Sequence, residues 1–154
     1  MKFEKSVSVL SEKQGIMGIN IGKHLLDNGI KPSYQRMKIY EYLITKKNHP
    51  TIDMIYKELR HDIPTFSKTT VYNTMELFIK KGIAIMLTID ENETRYDADT
   101  SVHTHFKCEK CSYIYDLHTN LNVITPQMPS GHKVTEQHLY LKGICKTCLS
   151  SYSN

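Results

Sequence analysis

Apolar residues recur along this chain first with a helical period and then with a period of two. Residues 1–16 are polar and weakly patterned, which predicts an N-terminal arm. Ile21 and Leu25, four apart and followed by Gly29, predict a helix over 17–29. Pro32-Ser33 opens a second helix with Met37, Tyr40, Leu43 and Ile44 on one face, and His49-Pro50 breaks it. Thr51 caps a third, in which Ile52, Ile55, Tyr56 and Leu59 fall at i, i+3, i+4 and i+7. Pro64 closes that connection. Ser67 caps a fourth helix that ends on Lys80-Lys81 and Gly82, with cations at its negative end and a buried stripe of Val71, Met75 and Phe78.

Beyond Gly82 the pattern alternates. Ile83, Ile85, Leu87 and Ile89 interleave with Ala84, Met86 and Thr88, Asp90–Glu93 is a turn, and Thr94–Ala98 returns as a second strand. Helices followed by a hairpin, with a capped helix just before it, describe a winged helix-turn-helix over 17–98. Residues 99–102 then form a hinge. Residues 103–154 read as a small α/β domain of short strands, with one turn of helix around 119–125. The fold class is α+β.

At 154 residues the chain suits one ordinary domain or two small ones. The longest apolar run, Ile83–Leu87, falls far short of the ~20 residues of a membrane helix. Met1–Gly18 has no signal-peptide core, so a cytoplasmic protein with no membrane partner is expected. Charge is uneven: residues 30–82 carry ten basic and five acidic side chains, a net of +5, while residues 99–154 carry five and four, a net of +1. A basic excess in the helical segment is compatible with a nucleic-acid face and equally with an ordinary solvated surface.

The only four cysteines form two CxxC knuckles, Cys108/Cys111 and Cys145/Cys148. This is the spacing of a tetrathiolate zinc site. Disulfides would need an oxidising compartment, and a redox CxxC would not explain a second identical spacing. A structural Zn(II) is expected, stapling a domain whose own core would be thin.

On the fourth helix, Thr69, Tyr72 and Asn73 lie opposite the buried stripe, with Lys68 near the start. These side chains can reach base edges and phosphates from the N-terminal half of a recognition helix, although an amphipathic surface helix has the same look. His103 and His105, two apart on an expected strand, point to one face. Asp116 follows on the next strand, Asp97 closes the wing, and His49 sits in the loop between the second and third helices. Three imidazoles and two carboxylates make a mixed N/O set. Fe(II) or Mn(II) suits it, and zinc or nickel could also occupy it. His24, His61, His118, His132 and His138 are assigned to surface or packing roles.

Taken together, Gln35-Arg36, His49-Pro50-Thr51, Ser67-x-x-Thr70-Val71-Tyr72-Asn73, Arg95-Tyr96-Asp97, His103-x-His105 and the two CxxC pairs resemble the Fur family of bacterial metal-dependent repressors across nearly all of residues 17–149. The resemblance implies a homodimer on double-stranded operator DNA, with a winged helix followed by a dimerisation domain holding structural zinc. It adds Arg36 and Thr70 to the DNA-contacting set. It is closest to the peroxide-responsive (PerR) branch, whose ligand set is matched by His49, Asp97, His103, His105 and Asp116. In that branch, Fe(II) and hydrogen peroxide together oxidise a ligand histidine and DNA is released; His49 and His103 match the oxidised positions. The alternative is an iron-, manganese- or zinc-responsive repressor without peroxide chemistry.

The chain departs from the family in two respects. Val102, Thr104 and Gln137 stand where many relatives carry a further metal site, and Pro126 and Pro129 interrupt the usual helix after Asp116. A non-haem iron enzyme is disfavoured, because five protein ligands leave little room for a substrate. No substrate beyond metal and peroxide is expected. A zinc-stapled adaptor with no DNA role is the remaining reading.

Overall fold

The computed structural model describes residues 15–16, 19–118, 131 and 138–151. They form two compact units, divided between Thr100 and Ser101. Residues 1–14 of the expected arm, the expected turn of helix at 119–125, and Pro126, Pro129, His132 and Gln137 lie outside the described residues. Among those described, no helix is long and apolar enough to cross a membrane.

The first unit opens with a minimal antiparallel pair, β1 (Gly15–Ile16) and β2 (Ile19–Asn20). Four helices follow: α1 (Ile21–Asp27), α2 (Tyr34–Lys46), α3 (Ile52–Leu59) and α4 (Lys68–Lys80). The first helix is shorter than the expected 17–29. The Asn20 side chain accepts from the Lys23 backbone N–H at 2.9 Å, so Asn20 is the cap and the helix cannot begin earlier. Ser33, Thr51 and Ser67 cap the other three in the same way, each accepting the N–H three residues on.

Two helices end in matching Schellman turns. Gly29 (φ +69°) places the Ile30 N–H on the Leu25 carbonyl at 2.9 Å, and Gly82 (φ +70°) places the Ile83 N–H on the Phe78 carbonyl at 3.0 Å. Ile30 and Ile83 are thereby driven into the core. The core itself joins Leu25, Ile39, Ile55, Val71, Met75 and Phe78, all fully buried. On α2 the buried face is wider than periodicity indicates, taking in Ile39 and Tyr42 as well as Tyr40 and Leu43.

The hairpin is β3 (Ile85–Leu87) against β4 (Arg95–Asp97), with Met86 opposite Tyr96. Each strand is shorter than expected. Ile83 is held by the Schellman turn, and Arg95 gathers the tip. Its guanidinium lies 3.3 Å from both Asp90 and Glu93 and donates to the Met54 sulfur.

The described residues of the second unit form a three-stranded sheet of order β6-β5-β7, with β5 (Thr104–Cys108), β6 (Ile114–Leu117) and β7 (Tyr140–Gly143). β5 runs antiparallel to β6 and parallel to β7. A five-residue helix, α5 (Lys146–Ser150), follows; periodicity gives no sign of so short an element. The α+β class stands.

Ser67→Ala removes the cap of α4 and is expected to cost about 1 kcal/mol of stability, read as a lowered midpoint in urea unfolding. An unchanged midpoint would show that the cap is replaced by solvent at no loss.

Candidate metal centres and nucleic-acid interface

The four cysteines converge because β5 and β7 run in parallel. Cys108 ends β5 opposite Gly143, and the Glu109 N–H donates to the Gly143 carbonyl at 2.7 Å. The two knuckles then repeat one geometry. Cys108 Sγ accepts the Cys111 N–H at 3.5 Å, and Cys145 Sγ accepts the Cys148 N–H at 3.4 Å. Ser112, at φ +59°, turns the first knuckle back into β6. Cys111 Sγ lies 3.8 Å from Cys145 Sγ, and all four sulfurs lie within 4.8 Å of one another. Disulfide sulfurs would stand about 2.05 Å apart. A tetrahedron with metal–sulfur bonds of about 2.3 Å has edges of about 3.8 Å, so the spacing fits a structural zinc ion.

The thiols are already polarised. Burial opposes ionisation of Cys108, but the backbone N–H groups of Cys111, Cys145 and Lys110 outweigh it and bring its pKa down to about 6. The Tyr115 hydroxyl and the Cys148 N–H hold Cys145 below the ordinary thiol value. The bond to Cys145 in turn pushes the Tyr115 phenol up to about 12. The Cys148 thiol, hydrogen-bonded to Cys145 and partly buried, is pushed up to about 12. Four thiols this close cannot all ionise among themselves, and a divalent thiophilic cation resolves the conflict. Tyr115 was not legible as a supporting residue, since it follows from cross-strand placement rather than spacing.

The five expected N/O ligands divide between the units. In the first, His49 Nε2 lies 3.6 Å from Asp97 Oδ2. His49 is buried and adopts φ +47° immediately before Pro50. The Tyr96 N–H donates to the Pro50 carbonyl at 3.1 Å, tying this loop to β4 beside Asp97. Asp97 Oδ1 also accepts the Asp99 N–H at 2.8 Å.

In the second unit, His105 stands opposite Asp116 in the β5–β6 register. His103 Nε2 lies 3.0 Å from His105 Nε2, and Asp116 Oδ1 lies 3.3 Å and 3.5 Å from these two nitrogens. His103 Nδ1 is 2.8 Å from the Ser101 carbonyl, which can only accept; Nδ1 therefore carries a proton, and Nε2 points at the cluster. Two ring nitrogens and a carboxylate oxygen converging this closely fit a divalent cation that accepts mixed N/O donors.

The remaining histidines are placed differently. His24 stacks on Tyr40 and lies 2.8 Å from its hydroxyl, while His61 accepts from Arg60 and His138 stacks on Tyr140. His118, read from the sequence as a surface or packing residue, lies with its ring centroid 5.1 Å from that of His103. Val102 is fully exposed, and Thr104 is buried.

On α4, Lys68, Thr69, Tyr72 and Asn73 are exposed, opposite Val71, Met75 and Phe78. Thr70 is half-buried, its hydroxyl 2.9 Å from that of Ser67, and so contributes to the cap. Arg36 is half-buried and donates to the Lys31 carbonyl at 2.8 Å. Lys68 Nζ lies 2.8 Å from Asp53 in the first turn of α3 and holds that carboxyl below its usual range. This surface pair contributes little stability, so Lys68 can exchange Asp53 for another anion.

Cys111→Ser is expected to lose the sulfur-bound metal and the order of the second unit, because the binding free energy of such a metal is folding free energy. Metal content and near-ultraviolet circular dichroism check this. A variant with full metal content and parental dichroism would show the cluster to be dispensable.

The sequence matches the Ferric uptake regulator family over residues 27–142. It is 36% identical over 127 residues to the peroxide operon regulator of Bacillus subtilis, covering 80% of this chain and 88% of that protein. It is 37% identical over 123 residues to the peroxide-responsive repressor PerR of Staphylococcus aureus, covering 78% and 83%. In fold it is similar to the Helicobacter pylori ferric uptake regulator, with a TM-score of 0.65 at 19% identity, covering 97% of this chain and 95% of that one. A further likeness is to the Francisella tularensis regulator solved with iron, with a TM-score of 0.64 at 23% identity, covering 79% and 96%. The chain belongs to the Ferric uptake regulator family of metal-dependent transcriptional regulators and is not an enzyme.

Proposed function

We propose that the chain is a homodimeric repressor that binds operator DNA in a metal-dependent manner and releases it when hydrogen peroxide oxidises a ligand histidine. Residues 17–98 form its DNA-binding domain, 99–102 its hinge and 103–154 its dimerisation domain. Cys108, Cys111, Cys145 and Cys148 hold structural Zn(II). His49, Asp97, His103, His105 and Asp116 hold the regulatory ion, Fe(II) or Mn(II). Arg36, Lys68, Thr69, Thr70, Tyr72 and Asn73 serve DNA. The observation that carries this reading is the convergence of His103, His105 and Asp116 on one face of β5–β6, with His49 paired to Asp97 in the other unit. The relatives named for peroxide response support the finer assignment.

Neither unit supplies the whole ligand set. An ion that needs both halves binds one interdomain arrangement more tightly than others, and that difference shifts the population toward it. Paired recognition helices then meet successive major grooves. His49, Asp97, His103, His105 and Asp116 would hold an Fe(II) that activates hydrogen peroxide; overall the peroxide would oxidise one ligand imidazole by two electrons, one oxygen replacing a ring C–H hydrogen and the other leaving as water. His103 and His49 each use ring nitrogens toward the set, so oxidation of either ring removes a donor and the preference for the DNA-bound arrangement. The four thiols, in a separate cluster, keep the second unit folded meanwhile.

Tyr72→Ala is expected to abolish operator binding while keeping the fold and both metals, as read by mobility shift and metal content. Parental binding should fall steeply with salt as phosphate contacts release counterions. Operator binding by the variant at the parental concentration would show that α4 does not read DNA.

Peroxide sensing is tested on operator complexes loaded with Fe(II) or Mn(II). The Fe(II) complex should dissociate at low peroxide, with one oxygen added to a peptide containing His49 or His103, and the Mn(II) complex should persist. Asp116→Glu should blunt the response and keep metal-dependent binding. If the Fe(II) complex persists with both histidines intact, the protein is an iron-, manganese- or zinc-responsive repressor without peroxide chemistry.

A further inference from the structure

The histidine-bearing face of the β5–β6 hairpin extends one step beyond the five-residue set. His105 is opposed by Asp116 and Thr104 by Leu117. The next opposed pair in this antiparallel count is His103 and His118. Because side chains alternate along a strand, His103, His105, Asp116 and His118 all stand on the same face. The ring centroids lie 4.4 Å apart for His103–His105 and 5.1 Å apart for His103–His118. His103 Nε2 meets both other inner donors, at 3.0 Å and 3.3 Å.

His118 is the exposed member of this ladder, and the side chain of its neighbour His103 is covered. His105 is buried, Asp116 half-buried and His118 exposed. A hydrated cation arriving from solvent therefore meets His118 before it can reach His105. Divalent ions shed water one ligand at a time, and the imidazole is the commonest protein donor for them.

We propose that His118 is a loading ligand. The incoming ion binds His118 together with His103, then passes to His105 and Asp116 while His103 holds it. The inference rests on the regulatory-site reading above. A waypoint of this kind changes how fast the ion enters and leaves and leaves the affinity of the final site unchanged.

The test uses the full-length, zinc-loaded protein with Co(II) as the probe, followed anaerobically by stopped-flow absorbance and by equilibrium titration against a chelator. Two variants are compared with the parent: His118→Ala, and His118→Phe, which keeps an aromatic ring against His103. Both should reach parental affinity and the parental Co(II) spectrum, but load and release the ion severalfold more slowly. Parental rates in both variants would reduce His118 to a packing residue and overturn the proposal. A loss of affinity of about tenfold or more with an altered spectrum would also overturn it, by making His118 an ordinary ligand of the final site. Should the unsubstituted protein take up no Co(II) beyond its four-thiolate ion, the regulatory-site reading itself would fall, and this inference with it.

Discussion

Sulfur charge is the constraint on which the second unit depends. Four sulfurs within 4.8 Å of one another cannot all be thiolates unless a cation sits among them. The surroundings have gone part of the way: backbone N–H groups favour charge on Cys108, and the Tyr115 hydroxyl favours it on Cys145, while Cys148 is pushed the other way. Among the described residues of this unit, a three-stranded sheet with a five-residue helix has little apolar area to bury. The free energy of metal binding adds to what these described elements bury, and the parallel β5–β7 pairing exists in register with it, since Cys108 opposite Gly143 is what brings the knuckles together.

The first unit is stabilised by different means. Its helices meet through fully buried side chains, among them Leu25, Ile39, Ile55, Val71, Met75 and Phe78. Deleting a residue such as Phe78 from such a core typically costs about 3–5 kcal/mol. The stripe that buries Val71, Met75 and Phe78 also fixes which face of α4 remains outside, so the orientation of Tyr72 and Asn73 is a by-product of core packing. The cap at Ser67 and the Schellman turn at Gly82 then set where that helix starts and stops.

What the sequence disclosed, and what it did not, divides by the range of the interactions. Caps at Ser33, Thr51 and Ser67 and the stop at Gly82 are local devices that involve side chains and backbone a few residues apart, and each was readable. The start of α1 is set by the Asn20 side chain on the Lys23 N–H, a cap that the apolar period of Ile21 and Leu25 does not locate. The strands came out shorter because Ile83 serves a helix end and Arg95 binds the hairpin tip. The candidate metal-ligating residues are named by spacing and resemblance, and the structure gathers the four cysteines, and His103, His105 and Asp116, into clusters. The support that Tyr115 gives Cys145 is not readable in this way, because it follows from cross-strand register and parallel pairing that no local pattern encodes.

The two N/O half-sets differ in how they are held, and this bears on any switch built from them. His49 sits at φ +47° next to a proline, a backbone state of the kind that costs of order 1–3 kcal/mol. It persists because Pro50 is tied to Tyr96, the neighbour of Asp97, and because Lys47, also left-handed, ends α2 just before it. The second half-set is fixed by strand register and by the Ser101 carbonyl on His103. Each half is therefore organised within its own unit, and the entropy of ordering these side chains is lost on folding rather than on metal capture. An ion that engages both halves need not organise either one. On the proposed reading, its differential affinity would go to biasing the arrangement of the domains rather than to ordering the ligands, and that difference decides how far a ligand can move a two-state equilibrium.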